Sequence, residues 1–298
     1  MNETTTAPRV RLLDSTLRDG SHAIRHRYTP EQVELVAGRL DEAGMPAIGV
    51  GHGDGLGASS IQYMRSAHTD DELLSAARRA IRSARLAVTF QPGIGTKRQL
   101  ERAAELGADL VRIATHCTEA DIATQHIGLS RDLGMDVHGD LMMPHMTSPE
   151  KIAEQARIMV DAGATGVHIM DSAGALTMDE VKARLAAMLR EFGGEAEAGI
   201  HAHQNLSLAV ANTVAATQAT TVSNKGPLHY LRTQNPLNPE NLAVYPKRLP
   251  TNRPNPYTQP GAFDQLLCMT VNPGWGGQSF LPHTLGKVQR LRTLCGPE

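Results

Sequence analysis

Aromatic residues, cysteines and long apolar runs are all scarce in this chain. Phenylalanine, tryptophan and tyrosine make up 3% of its 298 residues, which suits an alanine-rich helical shell better than an all-β fold. The three cysteines, Cys117, Cys268 and Cys295, are an odd number without C-x-x-C spacing, which indicates reduced thiols in a cytoplasmic protein. No run approaches the roughly 18 apolar residues that a membrane helix needs. Residues 1–6 are polar and lack the apolar stretch of a signal peptide.

A strong charge of either sign is also absent. The 29 basic and 31 acidic residues nearly balance, so neither a nucleic-acid surface nor an acidic tail is expected. The composition therefore favours a cytoplasmic protein that binds neither nucleic acid nor membrane.

What the chain does contain is an alternation of short apolar runs with amphipathic stretches between residues 10 and 219. The apolar runs predict seven strands, at 10–13, 47–51, 86–90, 110–114, 137–143, 167–171 and 198–203. Capping boxes at Thr29 and Thr177 begin two of the intervening helices, and Gly44 and Gly193 end two of them. Seven βα units, with no G-x-G-x-x-G loop after the first strand, favour an α/β fold of the (β/α)₈ TIM-barrel type over an open doubly wound sheet.

The two ends of the chain differ from this repeat. Residues 1–8 are expected to be a disordered N-terminus, and 9–219 form barrel units one to seven. Residues 220–262 are punctuated by prolines and show no clear period, which predicts a linker or an irregular excursion. A strand pattern at 266–271 and a helical pattern after it make 263–298 a candidate for an atypical eighth βα unit.

The most informative stretch for chemistry is the H-x-H pair His201 and His203. On a strand, side chains two positions apart point to the same face, and active sites of such barrels lie at the C-terminal strand ends. Asp19 follows strand one, which only strand eight separates from strand seven in a closed ring. Two imidazoles and one carboxylate can hold a divalent metal with open positions. The same rim carries further polar residues: His22, His52, Asp54, Thr115, His116, His145, Asp171 and Ser172.

Each of these residues also has a structural interpretation. A lone H-x-H pair is often two ordinary histidines, and Arg18 beside Asp19 is a natural salt-bridge partner. Cys117 reads as a small buried hydrophobe because no base is visible beside it. Most of the other histidines are expected to be hydrogen-bonded rim or core residues.

Several long motifs, in order along residues 9–219, resemble the 4-hydroxy-2-oxovalerate aldolases. These are class II pyruvate aldolases of the group that includes hydroxymethylglutaryl-CoA lyase and isopropylmalate synthase. The motifs are DSTLRDGSHAIRH (14–26), HGDGL (52–56), PGIG (92–95), ATHCTEAD (114–121), LMM (141–143), DS (171–172) and HAHQNLSL (201–208).

The resemblance implies a role for each matching residue. Asp19, His201 and His203 would hold Mn²⁺, with Mg²⁺ or Co²⁺ as alternatives. The metal and Arg18 would polarise the 2-keto group and stabilise a pyruvate enolate after C3–C4 cleavage, while His22 would act as general base. Ser172 would contact the substrate, as Arg18 and His201 would. The products would be pyruvate and a short aldehyde.

The sequence departs from this family after residue 219. The family's glycine-rich eighth strand is not recognisable, and neither is its C-terminal region, which docks an acylating acetaldehyde dehydrogenase. Instead, MTVNPGWGGQSF (269–280) resembles a strand and phosphate loop of ribulose-phosphate 3-epimerase, another (β/α)₈ barrel. That resemblance implies a phosphate contact by the backbone of Gly274, Gly276 and Gly277.

These departures leave three rival functions beside the aldolase. The chain could be an inactive hybrid barrel that lacks its proper closing strand. It could bind or isomerise a sugar phosphate through Gly276 and Gly277. It could also act as an acyl-CoA lyase of the same larger group, although the context of His22 favours the aldolase.

Overall fold

A computed structural model of the chain describes residues 11–222 and 228–233, with side chains described over 11–217. The strands are β1 (Leu13–Asp14), β2 (Ala47–Gly49), β3 (Arg85–Phe90), β4 (Leu110–His116), β5 (Asp136–Met142), β6 (Gly166–Asp171), β7 (Glu197–Ala202) and β8 (Leu228–Thr233). The α-helices are α1 (Pro30–Glu42), α2 (Asp70–Ala80), α3 (Lys97–Glu105), α4 (Thr124–Asp132), α5 (Pro149–Asp161), α6 (Met178–Phe192) and α7 (Ala209–Val222). None of the helices in this part of the chain is long and apolar enough to span a membrane.

The strands form one parallel sheet in the order β1 to β8. β8 also contacts β1, so the two ends of the sheet meet. An ion pair between Arg11 and Glu197 on β7 adds a link across the same junction. The chain therefore has the predicted (β/α)₈ barrel architecture, in which the C-terminal strand ends share one rim.

Local sequence explains where the helices begin and end. At the start of α1, Thr29 Oγ1 accepts a bond from the Gln32 backbone N–H at 3.3 Å, and Gln32 Oε1 accepts one from the Thr29 N–H at 3.0 Å. This is the predicted capping box, and Pro30 at the first helical position suits it. At the C-terminal end of α6, Gly193 has a φ of 58°, a left-handed conformation that glycine adopts without a Cβ penalty.

The strand that follows α7 corrects one sequence prediction. Residues 220–262 were expected to be irregular, yet α7 continues to Val222 and β8 spans Leu228–Thr233. This strand was not predicted because it is only six residues long and lies between Pro227 and Pro236, in a segment rich in proline. The strand predicted at 266–271, the disordered terminus at 1–8 and the rest of 263–298 lie outside the described residues.

The core has two parts. The larger one lies between the sheet and the helices, with fully buried side chains such as Phe90, Ile113 and Leu141. A small separate cluster joins Leu13, Ala47, Ala87 and Leu110, which sit near the starts of β1 to β4. Burial of this apolar surface, at roughly 25 cal/mol per Å², is the main force that holds the rim residues in place.

Candidate metal and substrate site

The end of β1 turns sharply and presents Arg18 and Asp19 at the rim. The Thr16 backbone N–H donates to Asp14 Oδ1 at 2.8 Å, and the Arg18 N–H donates to Ser15 O at 3.0 Å. A short 3₁₀ turn over Asp19–Ser21 follows. This hydrogen-bonded turn fixes the direction in which the two charged side chains leave the strand.

The H-x-H pair lies at the end of β7, as predicted. His201 belongs to the strand and His203 follows its last residue. The two imidazole rings are stacked, with centroids 4.5 Å apart and an interplanar angle of 22°. They therefore share one face of the sheet, which the period of two required.

Asp19 meets both histidines across the rim. One potential ligand atom from each of Asp19, His201 and His203 lies within 4.8 Å of the others. His201 Nε2 is 3.5 Å from Asp19 Oδ2. The barrel thus brings together three residues that are separated by more than half of the chain, and their donors are those that a divalent metal with open positions uses.

Hydrogen bonding and burial fit these residues for a metal. His203 Nδ1 lies 2.6 Å from the carbonyl oxygen of Asp171, an acceptor, so Nδ1 carries the proton and Nε2 has the free lone pair. Neither ring nitrogen of His201 makes a hydrogen bond within residues 11–217, although the residue is almost fully buried. An ion bound between His201 and Asp19 would satisfy this buried imidazole.

The pKa shifts leave the donors in the charge states that ligation needs. Burial, together with the neighbouring His203, lowers the pKa of His201 to about 3, so its imidazole is neutral at neutral pH. Burial opposes ionisation of Asp19, but Arg18 and the two imidazoles outweigh it and hold the pKa of Asp19 well below its usual value. Asp19 and His201 are therefore a carboxylate and a neutral imidazole, the forms that metal binding requires.

Arg18 is buried beside this group. Its Nη1 donates to the carbonyl oxygen of Gly53 at 2.5 Å and lies 3.6 Å from Asp19 Oδ1. Nε and Nη2 make no hydrogen bond to any described residue. The salt-bridge interpretation of Arg18 is therefore correct in part, but the guanidinium still has donors to offer to an anionic or carbonyl oxygen of a ligand.

His22 lies directly on Gly53, in the loop after β2. A Cβ placed on Gly53 would fall 2.2 Å from His22 Nε2, so only glycine leaves room for the ring. Gly53 therefore contacts two candidate functional residues at once, because its carbonyl oxygen also accepts the Arg18 bond.

His26 and His52 both lie close to His22. His52 was predicted as a rim residue, but His26 was not. His26 stacks on His52, with centroids 3.7 Å apart and an interplanar angle of 11°, and its ring is 4.8 Å from that of His22. Burial, His52 and His22 lower the pKa of His26 to about 3. His26 is the last residue of the 14–26 motif, which was the only signal for its place near the site.

The other predicted rim residues have varied surroundings. Ser172 Oγ donates to Met170 O at 3.2 Å, just beyond β6. The Asp171 carboxylate accepts hydrogen bonds from the backbone N–H groups of Ala175 and Leu176, at 3.0 and 3.2 Å, and so stabilises the loop after β6. His116 Nδ1 contacts Thr118 Oγ1 at 2.8 Å, away from Asp19. Gly274, Gly276 and Gly277 lie outside the described part of the chain.

Cys117 behaves as the sequence predicted. It is fully buried, its Sγ donates to Met143 O at 3.2 Å, and burial raises the pKa of its thiol. A thiol in this state is a poor nucleophile.

A buried ionic network lies inside the barrel between β4, β5 and β6. Arg112 Nη2 is 2.6 Å from the Asp140 carboxylate, and His168 Nδ1 is 2.9 Å from Asp140 Oδ1. Burial opposes ionisation of Asp140, but the Arg112 charge and the His168 bond outweigh it and lower the pKa of Asp140 to about 2. This network was not predicted from the sequence.

Two family models match different parts of the chain. A family model described as HMGL-like matches residues 9–223. A model of the ribulose-phosphate 3 epimerase family matches residues 257–298. The two matches divide the chain much as the two sets of motifs did.

Two curated relatives match over the same region. The 4-hydroxy-2-oxovalerate aldolase 5 of Rhodococcus opacus (strain B4) is 50% identical over 210 residues, which cover 70% of this chain and 60% of the relative. The 4-hydroxy-2-oxohexanoate aldolase of Mycobacterium tuberculosis (strain CDC 1551 / Oshkosh) is 50% identical over 210 residues, 70% of this chain and 61% of the relative. This chain therefore spans about 60% of the length of the curated relatives that it matches.

A solved structure with the same fold is more distant in sequence. The carboxyl transferase domain of Rhizobium etli pyruvate carboxylase, with pyruvate and biocytin, aligns with a TM-score of 0.63 at 18% identity. The alignment covers 75% of this chain and 40% of that chain. At this identity the likeness concerns the barrel fold alone.

Proposed function

Because the chain belongs to the HMGL-like family, we propose that it is a metal-dependent aldolase of 4-hydroxy-2-oxo acids. The reaction is cleavage of 4-hydroxy-2-oxopentanoate, or a homologue, to pyruvate and a short aldehyde. The observation that carries the proposal is the convergence of Asp19, His201 and His203 at the rim. The names of the curated relatives support the choice of substrate class.

Asp19, His201 and His203 would hold the divalent ion, Mn²⁺ by the resemblance, with Mg²⁺ or Co²⁺ as alternatives. When bound, the ion supplies Lewis-acid polarisation of the 2-keto oxygen of the substrate. His203 is oriented for this task by Asp171 O, and the position of Asp19 follows from the turn at the end of β1.

Arg18 has the position to stabilise negative charge on the same oxygen. The C3–C4 bond breaks, its electron pair stays on C3, and the resulting enolate places negative charge on the former keto oxygen. The Arg18 donors that no described residue engages, Nε and Nη2, would pair with that charge. The Gly53 carbonyl anchors the other end of the guanidinium at 2.5 Å.

His22 would take the proton of the C4 hydroxyl. As the C3–C4 bond breaks, the C4 oxygen becomes the carbonyl of the aldehyde, and its proton must go to a base near neutral pKa. One proton must then be added at C3 of the enolate to give pyruvate, so no net proton is gained or lost. Loss of solvation lowers the pKa of His22, and Asp19 and Asp54 act in the opposite direction. Ser172 would contact the substrate. The resemblance also implies an acylating acetaldehyde dehydrogenase that would consume the aldehyde, but the family's docking region is not recognisable after residue 219.

The proposal is tested by pyruvate release. Full-length protein, stripped with a chelator and shown to be folded by circular dichroism, is given 4-hydroxy-2-oxopentanoate with and without Mn²⁺. Pyruvate and acetaldehyde should form in equal amounts with Mn²⁺ and should be undetectable without it. Folded, Mn²⁺-loaded protein that releases no pyruvate from the five- or six-carbon acid would refute the proposal.

Gly53→Ala is expected to lower kcat by about 10- to 100-fold, because a misplacement of about 1 Å at a reacting group can cost about 10²-fold. The added methyl group would lie 2.2 Å from His22 Nε2 and must push the ring away. Steady-state kinetics with Mn²⁺ measures the effect.

Gly128→Ala is the matched control for Gly53→Ala. A Cβ at Gly128, within α4, would meet no atom within 4 Å, so this substitution should leave kcat unchanged. Equal rates for the two variants would show that the contact of His22 with Gly53 does not matter for turnover.

A further inference from the structure

A second group of potential metal ligands lies beside the first. One ligand atom from each of His22, His26 and Asp54 lies within 4.8 Å of the others. His22 and His26 come from the loop after β1, and Asp54 comes from the loop after β2. This group shares no residue with Asp19, His201 and His203.

His26 is held rigidly in this group. Arg25 and His26 have φ values of 55° and 54°, and the His26 backbone N–H donates to Ser21 O at 2.6 Å. Two consecutive non-glycine residues in the left-handed region cost free energy, which local contacts must offset. The Ser21 hydroxyl donates to Arg18 O at 2.6 Å, so Ser21 Oγ accepts from His26 Nδ1–H at 2.9 Å, and His26 Nε2 has the lone pair that an ion can use.

Asp54 is also fixed by its neighbours. Its backbone N–H donates to His52 Nδ1 at 3.0 Å, and its carbonyl oxygen accepts a bond from Gln91 Nε2 at 3.0 Å. Asp54 Oδ2 is 3.6 Å from His52 Nδ1. The carboxylate and the His26 ring are therefore presented by two loops that contact each other through Gly53 and His52.

The donor set admits Zn²⁺ and similar borderline cations. Two imidazoles and one carboxylate, here as at Asp19, His201 and His203, bind Zn²⁺ more tightly than Mn²⁺, which stands lowest in the affinity order of the first-row divalent ions. Two ligands at about 2.1 Å from one ion cannot be more than about 4.2 Å apart, so any two of these atoms that lie near the 4.8 Å limit must move closer to bind the same ion. His22 is exposed and can make that movement by rotation of its side chain.

We propose that His22, His26 and Asp54 form a second, inhibitory site for Zn²⁺ or a cation of the same class. The inhibition rests on the function proposed above, because an ion at this site occupies the imidazole that takes the C4-hydroxyl proton. Occupancy of the site itself does not depend on that function. Excess Zn²⁺ therefore stops turnover by removing the base.

Equilibrium dialysis against Zn²⁺ tests the site directly, with chelator-stripped protein that carries no polyhistidine tag. Wild-type protein should bind two ions. His26→Gln and Asp54→Asn should each bind one, and Asp19→Asn should also bind one. His126→Gln, which removes a half-buried imidazole on α4 outside both groups, is the matched control and should bind two.

The outcomes separate the two proposals. A single ion in wild-type protein that is lost in Asp19→Asn would overturn the second site and leave the aldolase proposal standing. Retention of both ions in His26→Gln and in Asp54→Asn would also overturn the second site. Retention of both ions in Asp19→Asn would contradict the first site instead. Circular dichroism of each variant confirms that it is folded.

Inhibition provides the second measurement. With enzyme preloaded with Mn²⁺, the Zn²⁺ concentration for half-inhibition should rise more than about 10-fold in His26→Gln, since even the loss of an outer partner of a metal costs 10- to 100-fold in affinity. The rate of each variant is compared with its own rate without Zn²⁺. An unchanged half-inhibition concentration would refute the inhibitory role.

Discussion

Arg18→Lys is expected to lower kcat by about 10²- to 10³-fold, the usual effect of removing one donor to a developing oxyanion. The planar guanidinium of Arg18 donates to Gly53 O through Nη1 and has Nε and Nη2 left for the substrate. Lysine keeps the positive charge but lacks this planar arrangement of donors. The ammonium group can serve Gly53 or the substrate oxygen, but not both in the same geometry. Steady-state pyruvate release at saturating Mn²⁺ measures the loss.

Metal binding distinguishes a catalytic Arg18 from one that merely supports Asp19. Because lysine preserves the charge beside the carboxylate, the affinity for Mn²⁺ should change little in Arg18→Lys. Arg82→Lys, at an exposed position after α2, is the matched control and should retain the full rate. A loss of Mn²⁺ affinity in proportion to the loss of kcat would contradict the oxyanion role and assign Arg18 to the metal site alone.

Asp140→Asn is expected to destabilise the protein by about 3–5 kcal/mol, because it leaves the Arg112 charge buried without its partner. Asp140 is fully buried and Arg112 nearly so, with 2.6 Å between them. Chemical denaturation at neutral pH measures the free energy of unfolding. Glu154→Gln, which breaks an exposed pair with Lys151 at 2.7 Å, is the control and should cost less than about 1 kcal/mol.

The same carboxylate predicts a pH dependence of stability. The pKa of Asp140 is about 2 in the folded protein and is lowered from 3.8, so the folded state binds the proton less readily than the unfolded chain. Its stabilisation is fully present above about pH 4 and is lost as the pH falls toward 2. Wild-type protein should therefore lose more stability over this interval than Asp140→Asn, and parallel curves would show that Asp140 is not the titrating group.

The convergence of Asp19, His201 and His203 was predictable from sequence because it follows from periodicity and topology. Two histidines two positions apart on a strand must share a face, and the order of the strands brings β1 and β7 near each other. The network of Arg112, Asp140 and His168 was not predictable in this way. These residues lie on three strands at interior positions that apolar side chains usually fill.

Neither β8 nor the group of His22, His26 and Asp54 was predicted from the sequence, for other reasons. β8 is too short for an alternation of apolar and polar residues to stand out between the flanking prolines. Its pairing with β7 depends on tertiary contacts, which the local sequence does not determine. His26 acquires its place from a left-handed backbone at two non-glycine residues, which no sequence rule anticipates. The whole of 263–298, with its epimerase-like loop, stays a prediction.

The position of β8 has a consequence for the histidines on β7. With β6 on one side and β8 on the other, β7 is an interior strand whose backbone hydrogen bonds are made on both flanks. An edge strand can fray, twist or pair with another molecule. His201 and His203 are instead presented by a backbone that is fixed before any ion arrives, so the ordering cost of assembling the site is met by folding.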